Sequence, residues 1–338
     1  MASKKAQFET RLLETLKAAP LPVCGARILV GTSGGKDSMV LLDCLAAMAP
    51  AREWSLVVAH LDHGLRDESA ADAAWGGSMA DHFRLNSMMR RVDVAAMAER
   101  LGEGVEHAAR EARMTFFREA AQDAGASAVV LAHHGDDQAE TVLFRIARGT
   151  SLRGLAGMAP TRELAEGVTL YRPMLGARRE WIDAYAQRHD LSWREDASNT
   201  DTTLRRNAIR HEILPAIEAS VAPGASDALV RLATQAAEVS ELLAEQSAQL
   251  RTEALVLQRP DRVILDVKRM LTASAIVRRE LVRALLAEMG MGLRDLSDRH
   301  LRDVDELLSA PRGNVNLPER FLAKREADLL LLVSPNAT

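Results

Sequence analysis

Cysteine is scarce in this 338-residue chain, which contains only Cys24 and Cys44. Two thiols cannot build a disulfide scaffold or a four-thiolate metal site, so both are excluded. The sequence also lacks any run near the roughly 18 consecutive apolar residues that a membrane span needs. Its first residues do not lead into an apolar stretch, so we expect no signal peptide and a cytoplasmic protein.

An excess of positive charge is missing as well. The formal net charge is -4, from 43 lysines and arginines against 47 aspartates and glutamates. A protein with this balance can bind nucleic acid only where positive charge is gathered locally. The rest of the composition is that of an ordinary globular protein, and the length suits one large domain or, more naturally, two.

The first half of the chain alternates short apolar runs with amphipathic stretches. The apolar runs, which predict strands, cover residues 26–30, 54–60, 88–94 and 128–132. The stretches between them predict helices at residues 38–48, 67–85, 105–123 and 136–148. This order predicts an α/β fold: a parallel sheet with helices on both faces, which binds its ligands at the carboxyl ends of the strands.

The second half is expected to consist of loops and helices up to Pro223-Gly224, followed by a long linking helix. Apolar residues recur along that helix at spacings of three and four: Leu229, Leu232, Ala236, Val239, Leu243 and Leu250. The spacing is typical of one packed stripe, and a homodimer seam is the alternative. A small α/β domain is predicted after it. The expected division is a catalytic domain in 1–220, the linking helix in 221–260 and a small domain in 261–338.

The string Ser33-Gly34-Gly35-Lys36-Asp37-Ser38 joins the first predicted strand to a helix. Glycines let the backbone turn its N–H groups toward phosphate oxygens, and the new helix presents its positive end there. The serines add hydroxyl groups and Lys36 adds a cation. A Walker loop would need glycine in place of Val30 and Ser or Thr in place of Asp37. We therefore predict a phosphate-binding loop of another kind.

Polar strings also follow the second and fourth predicted strands. The first of these is His60–Ser69, and the other is His133–Thr141. Asp137 and Glu140 are three residues apart on one helical face, and at the end of a strand they suit a cation-binding pair. His133-His134 with Asp136-Asp137 are also residues that zinc uses, and Asp136 has a simpler role as a helix cap.

These strings belong to a longer series. It continues through Glu106–Arg113, Arg148–Ser151, Arg172–Leu175, Glu195–Asp201 and Arg205–Pro215. In order and content the series resembles the tRNA(Ile)-lysidine synthase family, within the ATP-pyrophosphatase (PP-loop) superfamily. The resemblance is strong over residues 26–218 and weaker over 262–333. Ser151 and Ala197 stand where the family commonly has glycine and proline, and we expect no room for the additional C-terminal domain of longer members.

The resemblance implies an enzyme that ligates lysine to the wobble cytidine of the isoleucine tRNA with anticodon CAU, which changes its codon from AUG to AUA. The cytidine carbonyl oxygen would attack the α-phosphate of ATP and release pyrophosphate. The lysine amine would then attack carbon 2 and release AMP. ATP and Mg²⁺ are the implied cofactors, and free L-lysine and the tRNA are the implied partners.

Residue roles follow from this chemistry. Lys36 and Asp37 would act on the phosphates, with Asp37 as the metal ligand, while His133 and Asp137 are candidates for accepting the lysine proton. The nucleotide would contact Ser33, Gly34, Gly35, Lys36, Asp37, Ser38, Asp62 and His63. The substrates would contact Arg110, Arg113, Asp137, Glu140, Arg205 and Arg206. Arg110 and Arg113 would hold either phosphate or the lysine carboxylate, unless they are surface charges.

Positive charge for tRNA is available in four clusters. They are Arg205, Arg206, Arg210 and His211; Lys268 and Arg269; Arg278, Arg279 and Arg283; and Arg312, Arg320, Lys324 and Arg325. The alternative for each cluster is a solvated face.

Three other functions fit part of the sequence. A tRNA thiolase of the same superfamily would need reactive or cluster-binding cysteines, and neither Cys24 nor Cys44 lies near a later motif. An amidating ligase such as an NAD or GMP synthetase would explain the phosphate loop but not the later strings. A nucleotide-binding regulator without catalysis is the third alternative.

Overall fold

The computed structural model describes residues 2–62, 64, 82–194, 205–293 and 295–335, with the backbone alone for residues 2, 3, 205 and 206. The predicted helix at 67–85 lies almost wholly outside the described residues, as do His63 and Glu195–Asp201. By its internal contacts the chain forms two compact units. The first contains Met1–Gly149 and Gly157–Ala233, and the second contains Thr150–Ala156 and Thr234–Thr338.

The strands of the described chain are β1 (Arg27–Thr32), β2 (Ser55–Asp62), β3 (Asn86–Arg91), β4 (Ala128–Leu131), β5 (Thr161–Ala165), β6 (Val168–Tyr171), β7 (Leu255–Arg259), β8 (Arg262–Asp266), β9 (Arg312–Asn316), β10 (Leu322–Glu326) and β11 (Leu329–Val333). The α-helices are α1 (Ala2–Ala18), α2 (Lys36–Arg52), α3 (Val94–Leu101), α4 (Val105–Ala124), α5 (Gly135–Ala147), α6 (Leu152–Leu155), α7 (Arg179–Arg188), α8 (Arg205–Ala208), α9 (Leu214–Ser220), α10 (Ala225–Ala254), α11 (Val267–Met270), α12 (Ala275–Glu288) and α13 (Asp298–Leu307). A π-helical turn (Ile209–Ile213) lies between α8 and α9, and a short 3₁₀ turn covers Pro318–Arg320.

The first unit is built on a six-stranded sheet in the order β3-β2-β1-β4-β6-β5. The pairs β3-β2, β2-β1, β1-β4 and β4-β6 are parallel, and only the edge strand β5 is antiparallel to its neighbour. Gly31 in β1 pairs with Ala59 in β2 and with Leu131 in β4. The carboxyl ends of these three strands therefore meet at one edge of the sheet.

Side chains of β1 alternate between two apolar cores, as the two-residue period of a strand requires. Ile28 and Val30 are fully buried in a core shared with α1, α2 and α7. Leu29 is fully buried in a second core shared with α3 and α4. The predicted parallel sheet with helices on both faces is confirmed.

The hairpin β5-β6 was not predicted, because residues 150–220 were expected to hold only loops and helices. Its two strands are five and four residues long and are joined at Gly167, which has a φ of +71°. Runs this short carry too few alternations to separate a strand from a loop.

The second unit contains a five-stranded antiparallel sheet in the order β7-β8-β11-β10-β9. Its core combines residues of this sheet with α12 and α13, including fully buried Leu265, Leu285 and Leu330. Sequence reasoning predicted β8, β9, β11 and both helices but missed β7 and β10. Strand β10 reads Leu-Ala-Lys-Arg-Glu, and its apolar content is too low to predict a strand.

Helix α10 is 30 residues long. Ala236 and Leu250 of the predicted stripe are buried, but Leu232 and Val239 are 37% and 45% exposed, and Ala233 and Ser247 are buried in their place. Small residues thus take positions that the apolar pattern assigned to larger ones. Within the described residues no single helix is both long and apolar enough to cross a membrane; only Ile209–Ser220 and Ala225–Ala254, bent by 103°, satisfy that condition together.

Candidate active site

The phosphate loop connects the end of β1 to the first turn of α2. Gly34 has a φ of +82°, a left-handed conformation that residues with a side chain rarely adopt. Gly35 caps α2 with extended backbone and no side-chain hydrogen bond. Ser38 is buried, and its hydroxyl donates to the Gly35 carbonyl oxygen at 2.8 Å. The uncapped helix start leaves backbone N–H groups for an anion.

Lys36 is held by residues from a distant part of the sequence. Its Nζ lies 2.7 Å from Asp183 Oδ1 on α7 and 5.2 Å from the centre of the Trp193 ring. Next to Trp193, the backbone N–H of Arg194 donates to the Gly34 carbonyl oxygen at 3.0 Å. The loop cation is therefore already neutralised and fixed in place. Sequence reasoning missed Asp183 and Trp193, and no local pattern marks either of them.

His134 joins the phosphate loop to the string that follows β4. Its side chain is fully buried, and its Nε2 lies 3.5 Å from Asp37 Oδ2 and 3.6 Å from Asp137 Oδ2. Its Nδ1 lies 3.2 Å from Asp136 Oδ2. Burial disfavours the charged ring, but Asp137, Asp136 and Asp37 outweigh it and raise the pKa of His134 to about 10. The ring thus lies among three carboxylates, and its Nδ1 also accepts a hydrogen bond from the Asp136 backbone N–H at 3.3 Å.

The contacts with His134 also change the pKa values of the carboxylates. Burial alone would raise the pKa of Asp37, yet His134 outweighs it and the pKa is lowered. The pKa of Asp136 is lowered for the same reason. Asp136 also accepts a hydrogen bond from the Arg179 backbone N–H at 3.0 Å. Asp37 is consequently ionised while a third of its side chain is exposed, which are the properties that a Mg²⁺ ligand requires.

Asp137 and Glu140 do face one cation, but it is supplied by the chain itself. Arg210 Nη2 donates to Asp137 Oδ1 at 2.7 Å, and its Nε donates to Glu140 Oε1 at 2.5 Å. Burial opposes the charged guanidinium, and Glu140 and Asp137 outweigh it, so the pKa of Arg210 is raised. Arg210 is carried by the π-helical turn. Sequence reasoning placed Arg210 in a tRNA cluster and so missed this contact.

The remaining candidates lie at the same edge or on helices beside it. His133 follows β4 and is half-buried, and Asp62 ends β2 and accepts a hydrogen bond from the Gly64 backbone N–H at 2.9 Å. Arg110 is exposed and Arg113 is half-buried, both on α4. His63 lies outside the described residues, and the side chains of Arg205 and Arg206 are likewise not described. The described part of the chain holds no cluster of three His, Cys, Asp or Glu residues placed to bind a metal ion.

A cavity of about 670 Å³ opens beside these groups in the first unit. Its lining is highly charged and includes Glu140, Asp183, Arg179, Arg210, Glu218 and Asp227. A small ligand with charges of both signs suits such a surface. The cavity reaches both Glu140, which accepts a hydrogen bond from Arg210, and Asp183, which pairs with Lys36.

Neither cysteine belongs to this site. Cys24 is exposed before β1, and Cys44 is buried on α2. Burial raises the pKa of the Cys44 thiol to about 12, so it is not a thiolate at neutral pH. Reactive sulfur is therefore not available from the two cysteines at the phosphate loop.

Several predicted tRNA-binding cations also form ion pairs within the chain. Arg278 bridges to Asp305 at 2.6 and 2.9 Å, and Arg283 pairs with Glu280 at 2.7 Å. Lys268 pairs with Asp328 at 2.6 Å, and Lys324 pairs with Glu326 at 2.5 Å. Arg325 is buried and donates to the Leu308 carbonyl oxygen at 3.3 Å.

Two family models match different parts of the chain. The PP-loop domain matches residues 4–217, and the TilS substrate binding domain matches residues 265–330. The chain is also similar to a solved structure, the U34-tRNA thiolase of Methanococcus maripaludis, with a TM-score of 0.56 and 16% identity over 68% of this chain and 79% of that one. That likeness supports the fold.

Curated relatives extend over most of the chain. It is 36% identical to the tRNA(Ile)-lysidine synthase of Geobacter sulfurreducens over 89% of its own length and 64% of the relative's. It is 31% identical to that of Dehalococcoides mccartyi over 95% of its own length and 69% of the relative's. The chain thus spans roughly two thirds of the length of these relatives. Because the PP-loop domain matches more than half of the chain and relatives above 30% identity are covered to about two thirds, the chain belongs to the tRNA(Ile)-lysidine synthase family.

Proposed function

We propose that the chain ligates lysine to carbon 2 of the wobble cytidine in the isoleucine tRNA with anticodon CAU, at the expense of ATP. The observation that carries the proposal is the direct link, through His134, between Asp37 of the phosphate loop and Asp137. A nucleotide-binding loop and a carboxylate pair for an amine are thereby held side by side. Family membership supports the choice of substrates.

The first step would be adenylation of the tRNA. The cytidine O2 attacks the α-phosphorus of ATP, a P–O bond forms, and the bond to the β-phosphate oxygen breaks with release of pyrophosphate. Backbone N–H groups of residues 34–36 and the Lys36 ammonium would stabilise the charge that develops on the phosphates. Lys36 must exchange Asp183 for phosphate to do so.

Mg²⁺, when bound by the ionised Asp37, would neutralise phosphate charge. His134 would hold the carboxylates of Asp37 and Asp137 at a fixed separation, because it contacts both. It would also keep Asp37 ionised. The role of His134 is thus to position two groups that bind different substrates.

The second step would be attack of the lysine ε-amine on carbon 2. A C–N bond forms, the C–O bond to the adenylate breaks, and AMP leaves. The amine arrives as an ammonium and must lose a proton, for which His133 and Asp137 are the candidates. Asp137 and Glu140 would bind the ammonium, with Arg210 yielding or sharing its contacts. The charged cavity beside Glu140 offers the volume for free lysine. The change of codon from AUG to AUA would follow from the modified base.

The alternative is a PP-loop tRNA thiolase. It is disfavoured by the position of Cys24 and by the raised pKa of Cys44.

The decisive experiment measures pyrophosphate release with ATP, L-lysine and the CAU isoleucine tRNA, followed by mass spectrometry of the digested tRNA. We expect release to require the tRNA and the nucleoside product to contain lysine. Product formation with a sulfur donor in place of lysine would instead establish the thiolase. Release that needs no tRNA would establish a small-molecule ligase.

A further inference from the structure

Four arginines from different elements lie together at the carboxyl edge of the first unit's sheet. We call them the arginine cluster: Arg110 on α4, Arg145 in the last turn of α5, Arg162 in β5 and Arg172 directly after β6. The charges of Arg110 and Arg162 act on Arg172, and the charge of Arg110 also acts on Arg145. Like charges repel one another.

Arg172 is the buried member of the cluster, with only 7% of its surface exposed. Its Nη1 donates to the Ala159 carbonyl oxygen at 2.8 Å. Its Nε is buried and has no hydrogen-bond partner within the described residues. Burial, followed by Arg162 and Arg110, lowers the pKa of Arg172 to about 10. The charges that act on it are cations, and no carboxylate is among them.

Arg162 is exposed, and its Nη2 contacts Met114 Sδ at 3.3 Å. Within the described part of the chain no ion pair to a carboxylate is formed by Arg110, Arg162 or Arg172. Burying a guanidinium without a counterion is strongly unfavourable, and an unsatisfied buried donor calls for a missing partner. An anion would supply both the charge and the hydrogen-bond acceptor.

The sheet register fixes the distance between this cluster and the phosphate loop. Tyr171 pairs with Val130 and Gly31 pairs with Leu131, so Arg172 is level with the end of β1. Strand β4 lies between β1 and β6, which separates the two sites by two strand spacings, about 10 Å. This offset between the backbone of Arg172 and the phosphate loop leaves room for a second anion beside the one at the loop.

We infer that the arginine cluster is a second phosphate site, which takes a backbone phosphate of the tRNA next to the wobble nucleotide. The inference rests on the proposed function, because only an RNA substrate brings phosphates on both sides of the reacting base. The planar guanidinium fork matches the geometry of phosphate oxygens. Contacts of this kind position an RNA without reading its sequence.

The test uses the full chain and a CAU anticodon stem-loop RNA as the probe. The variants are the double substitution Arg110→Gln, Arg162→Gln at exposed positions, and Arg172→Lys, which keeps the charge but removes the fork. Arg100→Gln, an exposed arginine in the last turn of α3, is the matched control. Dissociation constants for the RNA are measured over a range of salt concentrations, and those for ATP are measured without RNA.

We expect the double variant to bind the stem-loop about tenfold more weakly. We also expect a change in the plot of the logarithm of the RNA association constant against the logarithm of the salt concentration. Its slope should fall in magnitude by about 0.7 for one lost phosphate contact. The double variant should match Arg100→Gln in its affinity for ATP and in the inhibition of its reaction by inorganic pyrophosphate. Arg172→Lys should weaken RNA binding without abolishing the folded state.

Two results would overturn the inference. If pyrophosphate inhibition weakens while the RNA slope is unchanged, the cluster binds the leaving group. If only the KM for lysine rises, the anion is the amino-acid carboxylate. The wild-type chain is assayed for lysidine formation beforehand, and that result alone decides the proposed function.

Discussion

Lys36 of the phosphate loop and Asp183 of α7, 147 positions apart in sequence, form an ion pair of 2.7 Å. The phosphate must compete with this carboxylate for the loop cation. Because both side chains are about one third exposed, we expect the pair to be worth about 0.2–1 kcal/mol. Asp183→Asn should therefore tighten ATP binding roughly two- to fivefold, measured by calorimetry. Glu180→Gln on the same helix is the control, and weaker binding by Asp183→Asn would mean that Asp183 positions Lys36 for the nucleotide.

Lys36→Ala and Asp37→Ala should each lower tRNA-dependent pyrophosphate release by ~10²-fold or more, because both groups act on charge that develops in the transition state. The effect should appear in kcat, measured with saturating ATP. Lys17→Ala, an exposed lysine in α1, should leave the rate unchanged. Near-normal turnover by either loop variant would remove the loop from the mechanism.

Arg210→Ala should destabilise the protein, because it leaves the buried Glu140 without its cation. Removing one partner of a buried ion pair costs several kcal/mol of unfolding free energy. Because the Arg210 side chain is 25% exposed, we expect a smaller loss of roughly 2–4 kcal/mol. Urea unfolding followed by circular dichroism measures the change. The double variant Arg210→Ala, Glu140→Gln should recover part of the loss, since it removes the unpaired charge. Equal stability of the single and double variants would contradict this assignment.

His134 should give the stability of the protein a specific pH dependence. Its pKa of about 10 in the folded chain exceeds the ordinary value of 6.5, so its contribution is complete below pH 6.5 and is lost as the pH rises toward 10. The free energy of unfolding should fall by at most about 1.4 kcal/mol per pH unit in that window. The difference between wild type and His134→Asn isolates this slope. A difference that stays constant from pH 6.5 to 10 would show that the ring is neutral.

The central sheet could be predicted because the local sequence of its strands indicates their structure. Ile28, Leu29 and Val30 form an unbroken apolar run, and such runs between amphipathic helices are typical of parallel strands covered on both faces. Strands β5 and β10 escaped prediction because each is short and rich in polar residues, and β6 escaped it because it is only four residues long. Their pairing depends on neighbours that the local pattern does not contain.

Candidate residues for the site could be chosen from the sequence where they are adjacent in it. Ser33–Ser38 and Asp137 with Glu140 could be chosen from spacing alone. Asp183, Trp193 and Arg210 could not, because the fold brings them to the site from distant parts of the chain. Asp183 lies 147 positions from its partner Lys36, and Arg210 lies 70 positions from its partner Glu140. His134 was passed over for its neighbour His133, since two adjacent histidines look alike until burial separates them.

The two cysteines also make the first unit observable by fluorescence. Cys24 is exposed, whereas Cys44 is buried with a pKa of about 12, so a maleimide dye at neutral pH should attach at one position only. That position adjoins Val23, whose carbonyl oxygen accepts a hydrogen bond from the Trp54 indole N–H at 2.9 Å. A dye on Cys24 would therefore sit beside an indole donor, and energy transfer between the two would follow the opening of this unit without any engineered residue.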